Sequence, residues 1–135
     1  MRLKVLDSWA LMAFFNNEPA AGAVEDILVA ASEGSHHLLL SVVNWGEVYY
    51  AALRAGGETL AEARAAEITS LPIEIIGVGD DLGLVRLAAT FKARGGLSYA
   101  DAFAAALAKE NKAELVTGDL EFKALQKDIK IQWLK

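Results

Sequence analysis

Short β-prone runs alternate along this chain with longer stretches in which apolar side chains recur at helical spacing. The first run, residues 2–6 (RLKVL), stops at Asp7-Ser8, a pair suited to capping the helix that begins with residues 9–15 (WALMAFF). A second helix is expected next, with Pro19 in its first turn, Val24, Ile27, Leu28 and Ala31 along one face, and Gly34 closing it. Residues 36–40 (HHLLL) read as the second strand, and Ser41 as the N-cap of a helix over 42–57. Residues 58–71 form a further helix with exposed acids, and after Pro72 residues 73–78 (IEIIGV) read as the third strand. Asp80-Asp81 then open a helix with Leu84, Leu87, Ala88 and Phe91 on one face, which two glycines end. Ser98 caps the alanine-rich stretch up to residue 112, and residues 114–117 (ELVT) make a fourth strand that runs out at Gly118-Asp119. A short helix near 121–127 and a last strand over 129–134 complete the chain.

Strands that alternate with helices define an α/β fold with a largely parallel sheet and right-handed crossovers. In such sheets ligands gather beyond the carboxyl ends of the strands. At 135 residues, 54% of them hydrophobic and only two of them proline, the chain is expected to form one domain, 1–135, with a core that needs no disulfide. The complete lack of cysteine removes thiolate nucleophiles and zinc-thiolate sites, and two adjacent histidines make a poor metal set, so any metal must be held by oxygen. Asp7 interrupts the basic-then-apolar start, which therefore does not read as a signal peptide, and no stretch approaches the roughly 18 uninterrupted apolar residues of a membrane span. A soluble, cytoplasmic protein is expected, with no membrane contact. A net charge of −5 opposes broad attraction to a polyanion, although Arg86, Lys92, Arg94, Lys109, Lys112, Lys123, Lys127, Lys130 and Lys135 concentrate basic charge in the last third.

Four acids fall where that fold would bring them together. Asp7 ends the first strand and Asp119 the fourth, so parallel strands would project both from one edge of the sheet. Glu47 lies about two turns into the helix after the second strand, and Asp101 in the first turn of the helix before the fourth. Taken singly, each has a structural explanation: a turn or cap for Asp7 and Asp119, a solvated helix face for Glu47, a capping box with Ser98 for Asp101. Taken together they imply a cation, because clustered carboxylates repel unless one holds a proton or a hard divalent ion neutralises them. Magnesium suits such an oxygen site and manganese is the alternative. The chemistry such a site supports is phosphodiester cleavage, with no serine triad, cysteine or histidine base required.

At these residues the chain resembles the PIN-domain ribonucleases of the VapC toxin type, over nearly its whole length. LDSWAL is similar to the first PIN motif, with Asp7 as its acid and Ser8 beside it; NWGEV to the second, with Glu47; SYADAFAAALA to the third, with Asp101; and VTGDLEF to the fourth, with Thr117 and Asp119. The resemblance implies a five-stranded, mainly parallel sheet in the order 3-2-1-4-5 with helices on both faces. It implies an endoribonuclease that leaves 5′-phosphate and 3′-hydroxyl ends, the toxin of a toxin-antitoxin pair, acting on tRNA or mRNA. Asp7 and Asp101 would be the first metal ligands, Glu47 and Asp119 would complete or orient the site, and Thr117 and Ser8 would contact a water or phosphate oxygen. A cognate antitoxin laid across the site and a homodimer are also implied.

Trp45, Tyr49 and Tyr50 flank Glu47, where packing is the preferred reading over base stacking. His36 and His37 read as structural, and Lys123, Lys127, Arg86, Lys92 and Arg94 as solvated helix faces, with phosphate guidance the alternative. Val24 to Leu28 with Trp9, Phe14 and Phe15 form either core or a partner patch. Two rivals to the nuclease reading are a catalytically silent PIN-like binding module, which would break the acid set, and a receiver-like signalling domain. The latter would want an acceptor Asp after the third strand, where Gly77-Val78-Gly79 stands, and a lysine after the fifth, where the chain ends at Lys135.

Overall fold

The computed structural model describes residues 2–80 and 82–135. Five strands, β1 (Arg2–Leu6), β2 (His36–Ser41), β3 (Ile73–Ile76), β4 (Glu114–Thr117) and β5 (Lys130–Trp133), form one sheet in the order β3-β2-β1-β4-β5, with every adjacent pair parallel. The helices are α1 (Ser8–Phe15), α2 (Ala21–Ser32), α3 (Val42–Ser70), α4 (Gly83–Ala93) and α5 (Tyr99–Glu110), followed by a 3₁₀ helix over Leu120–Leu125.

Successive strand residues point to opposite faces, and the sequence uses this to build two cores. Val5, Leu39 and Leu115 face one side with Leu84, Phe91 and Leu107 of α4 and α5. Leu6, Leu38, Leu40 and Val116 face the other with Leu11, Val24, Ile27 and Leu28 of α1 and α2. Val24, Ile27 and Leu28 are therefore core, while Glu25 and Asp26 between them are exposed, and Trp9, Phe14 and Phe15 pack half-buried against that core. All eight residues from Asp101 to Ala108 are buried, because α5 packs against α3, α4 and the sheet at once. A run of alanines permits that close approach on several sides.

Several boundaries differ from the sequence reading. β3 stops at Ile76 rather than Val78, since its partner β2 ends at Ser41, opposite Ile76, and turns into a helix. Pro19 lies in the turn before α2 rather than in its first turn. The two helices expected over 42–71 form one run interrupted at Gly56 and Gly57, where Gly57 takes φ 71°, a left-handed conformation suited to glycine. Asp80 precedes α4 without capping it, Leu82 being the N-cap residue, and Asp81 lies outside the described residues.

Candidate active site

The strand order reverses at β1, whose neighbours are β2 on one side and β4 on the other, and the carboxyl ends of β1 and β4 flank that switch point. Asp7 follows β1 directly. It is fully buried, and its Oδ1 accepts the backbone N–H of Ala10 at 2.9 Å, so it is the N-cap of α1 as well as a site acid. Its Oδ2 accepts the hydroxyl of Thr117, the last residue of β4. The same hydroxyl accepts the backbone N–H of Asp119 at 3.0 Å, so one buried oxygen ties the two strand ends together. Thr117 is thereby turned inward onto two acids and away from solvent.

Asp101 enters from the first turn of α5, whose start Ser98 fixes by accepting the Asp101 N–H at 3.1 Å. Asp119 is the N-cap of the 3₁₀ helix and accepts the N–H of Glu121 at 3.0 Å. Carboxylate oxygens of Asp101, Asp119 and Glu121 lie within 4.8 Å of one another, a spacing at which one cation can bridge them. Glu47, from α3, accepts the hydroxyl of Ser8, which holds it near the start of α1.

The acids feel one another. Burial pushes the Asp7 carboxyl up from 3.8 to about 7; the hydrogen bonds from Thr117 and Ala10 resist this, and the charges of Asp101 and Asp119 add to it. Asp101 rises from 3.8 to about 6, again through burial first, then through the charges of Asp119 and Glu47. A site whose acids hold protons this far into the neutral range suits a divalent cation, which would displace those protons and cancel the repulsion. The donor set is all oxygen and fits magnesium or manganese.

Asp7, Glu47, Asp101 and Asp119 are thus brought to one end of the sheet, with Ser8 and Thr117 supporting them. Glu121 escaped the sequence reading although it stands two residues after Asp119 in the first turn of a helix; that Asp-x-Glu spacing was the signal. Asn44 also escaped it. It is fully buried, and its Nδ2 donates at 3.3 Å to the carbonyl of Ala100, the residue before Asp101, while its Oδ1 meets no donor among the described residues. Trp45 and Tyr49 stack on each other, with centroids 5.2 Å apart, and Trp45 packs against the core. His37 pairs with Glu74 at 2.7 Å on the neighbouring strand, at the opposite end of the sheet from the acids.

The PIN domain family model matches residues 4–128. The chain belongs to the PIN domain family. Solved structures give the same fold: the VapBC2 complex of Rickettsia felis bound to a DNA fragment from its promoter is 17% identical, with a TM-score of 0.76 over 98% of this chain and 99% of that one. The DNA-bound VapBC of Salmonella typhimurium is 19% identical, with a TM-score of 0.73 over 98% of each chain. VapC20 of Mycobacterium tuberculosis, a Sarcin-Ricin loop cleaving toxin, is 20% identical, with a TM-score of 0.67 over 90% of this chain and 93% of that one. No curated protein matches the chain by sequence. Among the described residues no helix is long and apolar enough to cross a membrane.

Proposed function

We propose that this chain, as one PIN domain over residues 1–135, is a metal-dependent endoribonuclease acting in the cytoplasm as the toxin of a toxin-antitoxin pair. The observation that carries the reading is the convergence of Asp101, Asp119 and Glu121 within 4.8 Å, beside a buried Asp7 that Thr117 locks to the same strand end. The solved relatives bear VapC or VapBC names, which supports a cognate antitoxin as partner; a homodimer as the working form is part of the same proposal.

Asp7, Asp101 and Asp119 would hold a magnesium or manganese ion, and Glu47 and Glu121 would complete or orient its carboxylate shell. When bound, such an ion lowers the pKa of a coordinated water and offsets charge growing on a phosphate. The chain does the positioning. Asp7, fixed by two hydrogen bonds, sets the charge at the base of the site, and Ser8 keeps Glu47 aimed at it. Cleavage forms a bond from a water oxygen to phosphorus and breaks the bond to the 3′ oxygen, which takes up a proton. A carboxylate of the cluster would accept the proton that the water gives up. The products would be a 5′-phosphate and a 3′-hydroxyl, and the substrate a tRNA or mRNA.

The test is cleavage of cellular RNA by purified, antitoxin-free protein with magnesium, with manganese and with chelator, alongside Asp101→Asn. Metal-dependent fragments with 5′-phosphate ends, reduced by more than about a hundredfold in the variant, are expected. Folded, metal-binding protein that cuts no RNA would replace this reading with that of a silent PIN-like module.

A further inference from the structure

The basic residues of the last third divide into those engaged locally and those left open. Lys92 donates to the carbonyl of Leu97 at 2.7 Å, and Arg94 pairs with Asp128 at 2.8 Å. At the amino-terminal ends of β1, β4 and β5, away from the acids, two open pockets of about 470 and 370 Å³ adjoin and share Lys112 and Lys130. Lys109 lines the first and Arg2 the second.

Two acids also line this face, and each already has a cation. Glu114 pairs with Lys4 at 2.7 Å, and Asp128 with Arg94. Among the described residues Arg2, Lys112 and Lys130 make no ion pair, and Lys109 reaches the backbone carbonyl of Asp128 at 3.2 Å. Glu114 senses the resulting field: its hydrogen bond from Lys4 holds its carboxyl below the usual value, and the charges of Arg2 and Lys130 push the same way. A locally positive face stands on a chain whose net charge is −5.

We propose that Arg2, Lys109, Lys112 and Lys130 form a second RNA-binding site, which takes backbone phosphates of the substrate at a distance from the cut. This rests on the nuclease reading above. The geometry favours a strand over a small anion. The cations spread along the starts of neighbouring strands and across two open pockets, as a row of phosphates requires, instead of converging on one enclosed point. An acidic molecule with carboxylates at its cutting end also needs its attraction for RNA elsewhere. From Glu114 to Asp119 is five residues of extended chain, about 17 Å. At about 3.4 Å per phosphate of a stacked strand this is about five nucleotides through the sheet, and a strand that passes around the outside of the protein needs more. RNA much longer than this reaches both; shorter RNA reaches one.

Lys112 has φ 52°, in the left-handed region where glycine is at home, so Lys112→Gly removes the charge and relaxes the backbone. The experiment measures binding of two labelled RNAs with uncleavable backbone linkages, one much longer and one shorter than the estimated span, to the full chain in magnesium, so that the acid cluster can hold phosphate while nothing is cut. Wild type is compared with Lys112→Gly/Lys130→Gln. The variant is expected to bind the long RNA about tenfold more weakly, with a salt dependence shallower by about 1.4 in log-log slope, and to lose most of its preference for long over short RNA. Unchanged affinity and slope, or an equal loss on both RNAs, would overturn the proposal. Lysine-dependent binding by a protein that never cuts RNA would keep this site and sink the nuclease reading; cutting without lysine-dependent binding would do the reverse.

Discussion

Asp7 serves two ends that oppose each other. As N-cap and site acid it is fixed by hydrogen bonds, yet burial beside Asp101 and Asp119 makes its charge unfavourable in the metal-free fold. Its pKa rises from 3.8 to about 7 on folding, so its protonated form contributes stability that is fully present below pH 3.8 and lost as the pH climbs through about 7. Asp101 adds the same sign over a range that ends near 6. Asp7→Asn mimics the protonated form, and the Thr117 hydroxyl can turn to accept from the new amide. The variant should therefore unfold at a higher temperature than metal-free wild type at pH 7, by on the order of 2–4 kcal/mol, with the gap closing toward pH 4 and shrinking when magnesium or manganese is added. Thermal melts across pH, with and without metal, measure it, and a wild type more stable than the variant at pH 7 in chelator would refute the account. Residues differ in how plainly the sequence announces them. Asp7 and Asp119 are legible because each ends a strand, whereas Glu121 looks like any exposed helix acid, and Asn44 looks solvated until α5 is seen to cover it.

The turn between β4 and the 3₁₀ helix is held to one residue type. A Cβ on Gly118 would sit 2.2 Å from the Trp9 ring, so either the indole of α1 or the backbone that carries Asp119 must move. Gly118→Ala is expected to cost about 1–3 kcal/mol and to lower cleavage with it. Trp9→Leu in the same chain should recover part of the stability, because it makes room; urea unfolding of the four proteins in the cycle gives the coupling, and additive effects would argue against the contact. The elements themselves were largely legible. Capping residues before apolar periodicity marked α1, α3 and α5, and alternation of β-prone and helical runs marked the parallel sheet. Where the reading missed, at the end of β3, the deciding factor was a partner's position, which no local pattern carries. The strand order likewise depends on which crossover goes which way, and entered through resemblance to a family.

Across the whole molecule, β1 has an acid just past its carboxyl end and a buried cation at its middle. Lys4 is 3% exposed and donates to Glu114 and Gln132, on β4 and on β5 beyond it. A polar letter in the run RLKVL reads as an outward-facing residue, and burial is a property of the assembled sheet alone. Glu114→Gln should cost about 2 kcal/mol, a figure kept small because Glu114 reaches water, since it leaves a buried ammonium without its counter-charge. Lys4→Met should cost less, under about 1 kcal/mol, because both partners then face only lost pairing. Chemical denaturation ranks them, and the opposite order would mean that Lys4 is held by packing of its stem.

β1 is made first, but it pairs with β4, whose matching residues come 110 positions later, as in Lys4 with Glu114. At roughly 5–20 residues per second of synthesis, roughly 5–22 s separate the two strands. Until then Asp7 has neither Thr117 nor Asp119 beside it. A chain that has not yet reached residues 117–121 thus lacks the complete acid cluster, so whatever chemistry the cluster performs begins only after those residues are made.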